Sequence, residues 1–213
     1  MKYKGILFDL DGVICDTAKL HYLVWKRLAN ELGGDITLEF NETLKGVDRA
    51  ESLRRILAHI NVTSTEEQFE KLMTQKNRWY VESLETLSNK DILPGIELFI
   101  RDLKNNNIKI AIASASKNAP LILEAIGLSE QIDTIANPEH VMNNKPAPDI
   151  FLLASKQLNL EPYECIGIED SQAGIDALNH GEINSIAVGN TLLNATKNIS
   201  STEQLTFELL ETV

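Results

Sequence analysis

Short isoleucine-rich runs alternate with stretches of helical periodicity along most of this chain, and that alternation restricts it to a parallel sheet flanked by helices. The runs fall at 5–10, 108–113, 164–168 and 184–188, with helical patterns at 96–106, 118–126 and 149–158. Runs this short and this continuously apolar fit strands covered on both faces. The pattern therefore predicts an α/β fold with a doubly wound parallel sheet, in which ligands gather beyond the carboxyl ends of the strands.

Residues 16–88 interrupt the pattern with three helical stretches and no strand, before the chain re-enters at Leu93-Pro94-Gly95. This predicts an inserted α-helical cap domain spanning 16–88, on a core assembled from 1–15 and 89–213. The first helix is expected to start near Asp16 or Thr17 and carries Leu20, Val24, Leu28 and Leu32 at intervals of four. Asp48 with Glu51, and Ser64 with Glu67, have the spacing of capping boxes for the second and third. The third helix aligns Phe69, Met73, Lys76, Tyr80 and Leu84 on one stripe. A lysine in such a stripe must either snorkel out to water or meet an anion.

Two carboxylate pairs mark the chemistry. Asp9 and Asp11 follow the run Ile6-Leu7-Phe8, and Glu169 and Asp170 follow Ile166-Gly167-Ile168, so each pair is expected at a strand's carboxyl end. Residues two apart in a strand point the same way, so Asp9 and Asp11 can address one ligand in different roles, one attacking and one moving a proton. Four acids at one place repel each other and raise their own pKa values unless a cation joins them, and a hard Mg²⁺ ion takes one or two carboxylates together with substrate phosphate oxygens. A calcium loop is excluded, because the positions that would need Gly and Glu hold Ile14 and Leu20.

Two further segments follow in order. Ala113-Ser114-Ala115-Ser116-Lys117-Asn118 offers hydroxyls and main-chain N–H groups at a helix start, which suits a phosphate. Asn144-Lys145-Pro146-Ala147-Pro148-Asp149 presents Lys145 from a loop stiffened by proline. Beside an attacking carboxylate and a phosphate, that lysine offsets a repulsion of about 4 kcal/mol per pair of like charges about 4 Å apart at an effective dielectric constant of about 20.

Composition narrows the partners. The 31 acidic residues against 20 basic ones give a net charge of −11, which opposes general attraction to nucleic acid or to anionic membranes. No apolar run approaches the roughly 18 residues of a membrane span, and the amino terminus lacks the apolar stretch of a secretory signal, so a cytoplasmic enzyme is expected. Cys15 and Cys165 have no metal-site spacing and read as free buried thiols.

The ordered set Asp9-x-Asp11, Ser114, Lys145 and Glu169-Asp170 resembles the haloacid dehalogenase-like phosphotransferase superfamily over nearly the whole chain. The resemblance implies that superfamily's Rossmannoid core, with Asp9 as the nucleophile that becomes an aspartyl phosphate and Asp11 as general acid and base. It also implies one Mg²⁺ per active site, held by Asp9, the Asp11 main-chain carbonyl, Glu169 and Asp170, while Ser114 and Lys145 hold the transferring phosphate. Sugar phosphate phosphatases of the superfamily share these motifs and the cap.

Segment Leu44-Lys45-Gly46-Val47-Asp48-Arg49, with His21, Trp25, Lys76 and Asn77, is similar to the hexose phosphomutases of the superfamily. That likeness implies interconversion of β-D-glucose 1-phosphate and glucose 6-phosphate by a monomer, with β-glucose 1,6-bisphosphate as activator and intermediate. Arg49 would grip the distal phosphate with Ser116, Lys117 and Asn118, and His21 and Lys76 would help to place Asp11. Thr17, Lys45, Gly46, Ser52 and Ala115 join the expected substrate contacts. A sugar phosphate phosphatase is the alternative, and a non-catalytic phosphosugar-binding regulator is disfavoured because every catalytic position is filled.

Overall fold

In the computed structural model, which describes residues 2–213, six strands form one parallel sheet. They are β1 (Gly5–Phe8), β2 (Lys109–Ile112), β3 (Thr134–Ile135), β4 (Cys165–Glu169), β5 (Asn184–Val188) and β6 (Lys197–Ile199). Their spatial order is β3-β2-β1-β4-β5-β6, so β1 runs through the middle. Gly5 pairs with both Lys109 and Cys165, and Phe8 with both Ile112 and Ile168. This register sets the next residue of each chain side by side, which brings Asp9, Ala113 and Glu169 to one edge.

Among the described residues eight α-helices accompany the sheet: α1 (Ala18–Glu31), α2 (Leu38–Glu42), α3 (Arg49–His59), α4 (Glu66–Leu84), α5 (Ile96–Asn105), α6 (Ala119–Ala125), α7 (Asp149–Gln157) and α8 (Gln172–His180). Alternate strand residues feed two cores. Ile6, Phe8, Ile110 and Ile112 pack with Ile96, Phe99 and Ile122 of α5 and α6, and Phe8 meets Phe99 edge-on at 6.0 Å. Leu7 and Ala111 face Ile150 and Phe151 of α7 and Ile175 and Leu178 of α8.

The four expected strands are present with ends within two residues of those expected, and the expected helices 96–106, 118–126 and 149–158 correspond to α5, α6 and α7. β3, β6 and α2 fall outside the expected pattern, and α8 fills the expected helical stretch between β4 and β5. β3 has two residues, β6 carries Lys197 and Asn198, and both lie at sheet edges where apolar patterning weakens.

Residues 16–88 contain four helices, α2 being the additional one. Val24 and Leu28 of α1, Leu53, Ile56 and Leu57 of α3, and Tyr80 and Leu84 of α4 are buried, and the apolar residues of the expected stripes line the interior. Two caps differ from expectation. Asp48 Oδ1 accepts from Ala50 and Glu51 N–H, but Glu51 turns to Arg55 instead of completing a box. On α4 the capping box is Thr65 with Gln68, one residue beyond Ser64 and Glu67. The segment leaves and rejoins the sheet at one crossing, where Cys15 bridges Ile92, Leu93 N–H donates to Ile14 O and Asp16 N–H to Asp91 O. Among the described residues no helix is long and apolar enough to cross a membrane, and both cysteines are buried and free.

Candidate active site

The sheet register builds the acidic centre. Asp9 N–H donates to Ile168 O at 2.9 Å, which continues the β1–β4 ladder and sets Asp9 beside Glu169. Ala113 N–H donates to Phe8 O at 2.7 Å on the other side and delivers Ser114 next to Asp9. Asp9, Glu169 and Asp170 each present a carboxylate oxygen within 4.8 Å of the others. Lys145 Nζ, almost wholly buried, donates to Asp9 Oδ1 at 2.6 Å and to Glu169 Oε1 at 2.8 Å.

The electrostatics follow from burial and unequal charge. Burial alone would lower the Lys145 ammonium, but the two facing carboxylates overcome it and hold its pKa above the usual range. Asp9 is raised well above the carboxylate range by burial, with Lys145 pulling down and Glu169 pushing up. Asp170 is pushed up to about 7 by burial and then by Glu169, although Lys45 Nζ lies 3.5 Å from it.

A divalent cation fits this arrangement. The donors are all oxygen, which suits Mg²⁺ and not a thiophilic metal, and the buried negative charge exceeds what Lys145 and Lys45 balance. Glu169 Oε2 is oriented by Ser171, whose N–H and Oγ–H donate to it at 2.7 and 2.9 Å while its Oγ also caps α8 by accepting from Gly174 N–H. A Cβ at Gly174 would stand 1.8 Å from Glu169 Oε1. Gly174→Ala is therefore expected to displace Glu169 and cost about 1–3 kcal/mol, seen as a lowered Tm. An unchanged Tm would show that the carboxylate moves aside freely.

Asp11 faces another way. Its carboxylate lies outside the three-acid cluster, accepts from the Thr17 hydroxyl and sits 3.7 Å from His21 Nε2. Burial raises its pKa, while the Thr17 bond and then the Lys76 charge oppose the rise. Thr17 thus occupies the N-cap position of α1 without capping it, and it is buried beneath the cleft instead of lining it.

Lys76 does not snorkel. It is 2% exposed, lies over the rings of Trp25 and Tyr80 at 4.7 and 4.5 Å, and meets His21 Nδ1 at 3.0 Å. Burial, then Arg49, pushes its pKa down to about 7. Burial, then Lys76 and Arg49, also holds His21 well below its ordinary value, so the ring is neutral. Nδ1 faces Lys76, and Nε2, which has no hydrogen-bond partner among the described residues, is the nitrogen nearest Asp11.

One cleft joins Asp9 and Asp11 to His21 and Lys76. From the sheet side it is lined by Asp9, Asp11, Ser114, Ala115, Ser116 and Asn118, and from the helical segment by His21, Trp25, Lys45, Gly46, Arg49, Ser52 and Lys76. Gly46 has φ +70°, and a Cβ there would meet Ser171 Oγ at 2.4 Å, so glycine lets the two sides approach. Half-buried Arg49 has no acidic partner among the described residues.

Besides Thr17, two further expected contacts lie outside the cleft. Lys117 stands outside the cleft, since Glu139 offers a surface carboxylate that takes its ammonium at 2.6 Å. Asn77 also lies outside the lining; its Oδ1 accepts from Asn118 Nδ2 at 3.0 Å, so it joins the two sides of the cleft. The main-chain N–H groups of Ser116 and Asn118 already donate to the Ser114 and Ser116 hydroxyls. Asn41, Ala18, Leu44 and Val47 line the cleft without having been singled out as site residues. Asn41, buried and polar on short α2, lies just before the Leu44–Arg49 segment, and that proximity was the available signal.

A family model for haloacid dehalogenase-like hydrolases matches residues 6–188. The β-phosphoglucomutase of Bacillus subtilis is 41% identical over 97% of this chain and 93% of its own. The crystal structure of β-phosphoglucomutase from Clostridium difficile superposes with a TM-score of 0.94 and 46% identity, covering 98% of this chain and 96% of that one. A phosphorylated carbohydrates phosphatase of Thermotoga maritima is 27% identical over 90% of this chain and 91% of its own.

Proposed function

The chain belongs to the haloacid dehalogenase-like hydrolase family, and from that premise we propose that it is a β-phosphoglucomutase, interconverting β-D-glucose 1-phosphate and glucose 6-phosphate through an aspartyl phosphate and β-glucose 1,6-bisphosphate. The observation that carries the reading beyond the two mutase relatives is Arg49, a half-buried cation without an acidic partner, in the same cleft as Asp9. Hydrolysis needs one phosphate station. A mutase holds a bisphosphate in two orientations and needs two, and a planar guanidinium is suited to the second.

Asp9 attacks the phosphoryl group while Lys145 and the Ser114 hydroxyl hold its oxygens. Mg²⁺, when held by Asp9, the Asp11 main-chain carbonyl, Glu169 and Asp170, supplies the positive charge that an anion attacking a phosphate dianion requires. Asp11, with its raised pKa, protonates the leaving sugar oxygen and later takes the proton from the incoming hydroxyl. Thr17 orients Asp11, and neutral His21 and Lys76 complete its surroundings. Splitting the transfer into two in-line steps lets the sugar turn over between them, exchanging the phosphate at Asp9 for the one at Arg49.

Residues 16–88 act as a cap that closes over a core formed by 1–15 and 89–213, hinging at the Cys15–Ile92 crossing. Closure excludes water and protects the phosphoenzyme. Arg49→Ala is expected to reduce isomerisation by about 10²-fold or more while leaving hydrolysis of acetyl phosphate within about twofold, because acetyl phosphate does not reach the distal station. Equal losses in the two assays would remove the distal-phosphate role.

A further inference from the structure

Around the cleft, besides the contacts of Thr17 and His21 with Asp11, three links fasten the helical segment to the sheet side. Asn77 Oδ1 accepts from Asn118 Nδ2 at 3.0 Å, Lys45 pairs with Asp170 at 3.5 Å beside the Gly46–Ser171 approach, and Asn144 Nδ2 donates to Asp48 Oδ2 at 3.1 Å. The first two use residues expected to touch substrate or metal. The third uses a residue that reaches neither, yet it joins the neighbours of two working groups, since Asn144 precedes Lys145 and Asp48 precedes Arg49.

We propose that Asn144 is a positioning residue, a latch that holds the closed cap in register by tying the Lys145 loop to the amino-terminal turn of α3. Both ends of the bond are preset. Asp48 Oδ1 is engaged by Ala50 and Glu51 N–H, which aims Oδ2 outward. The Asn144 carbonyl accepts from Ala147 N–H, and neighbouring Asn143 donates to Asp149 Oδ2 through its N–H and side chain, so the loop presents the Asn144 amide from a fixed turn. A preorganised bond to an ionised acceptor loses little entropy on forming, and here it is made only when the two halves meet. Its consequence is to set together the distance between Arg49 and Asp9 and the exclusion of water. This rests on the mutase reading for its catalytic consequence, but not for the closure itself.

Two measurements on the full chain test it. Amide hydrogen exchange of the unliganded protein should quicken about three- to tenfold in segments 46–52 and 141–147 of Asn144→Ala, with the sheet strands unchanged. Unaltered exchange in both segments would overturn the latch. In turnover with β-glucose 1-phosphate, Mg²⁺ and a trace of bisphosphate, Asn144→Ala should release about three- to tenfold more free phosphate per glucose 6-phosphate formed. Asn144→Asp, which sets a second carboxylate against Asp48, should leak more, and about 0.5 M salt should recover part of that loss by screening. A merely structural defect would not respond to salt in this direction, and a wild-type partition in both variants would overturn the role in catalysis. If the unmodified protein forms no isomer, the mutase reading fails, while the exchange measurement still decides the latch.

Discussion

Replacing Asp9 by asparagine is expected to cut turnover by about 10⁴-fold or more while leaving the sheet intact. The amide is nearly isosteric with the carboxylate, and the Asp9 main chain stays in the β1–β4 ladder through its bond to Ile168. What disappears is the nucleophile. Incubation of the unaltered enzyme with acetyl phosphate and Mg²⁺ should add one phosphoryl group, detectable by intact mass, and the variant should add none. Stability should hold or rise slightly, because one of three crowded carboxylates loses its charge while Lys145 keeps Glu169 as a partner. Retained turnover would transfer the nucleophilic role elsewhere.

Lys145→Ala carries the second large effect, and it acts on both stability and rate. The ammonium is the cation between Asp9 and Glu169, at 2.6 and 2.8 Å, and removing one member of a buried ionic group costs about 3–5 kcal/mol because the remaining charges are left uncompensated. Turnover should fall by about 10³-fold, since the phosphate loses a fixed positive contact. The pH dependence has a definite sign. Asp170 in the folded, metal-free protein has a pKa of about 7 against an ordinary 3.8, so between those values the folded state binds more protons than the unfolded one. Stability of the metal-free protein therefore falls as pH rises from about 4 to about 7. Losing Lys145 adds to the repulsion and should steepen the fall, while Mg²⁺ should flatten it. Thermal unfolding across that range with and without Mg²⁺ checks this, and a Tm of the variant that rises with pH would contradict it.

The parts of the fold legible in the sequence are those buried on both faces. β1, β2, β4 and β5 are apolar runs because helices cover both sides of the sheet, and the acid pairs stand at the carboxyl ends of β1 and β4. β3 and β6 escape the same logic as short edge strands. At the site, Lys76 was legible because a lysine in an apolar stripe conflicts with local pattern, and such conflicts collect where function demands them. The direction of Lys117 was not, because it depends on Glu139, 22 residues away. Nor was the service of Thr17 to Asp11, since a hydroxyl before a helix reads first as a cap. The Asn144–Asp48 bond spans 96 residues and exists only because the fold brings a loop and a helix end together.

The most direct test of the account supplies β-D-glucose 1-phosphate, Mg²⁺ and a trace of β-glucose 1,6-bisphosphate to the enzyme and follows glucose 6-phosphate and free phosphate in the same reaction. Two phosphate stations in one cleft predict that glucose 6-phosphate accumulates with free phosphate as a minor product. Free phosphate without glucose 6-phosphate would contradict the mutase assignment and make the enzyme a sugar phosphate phosphatase.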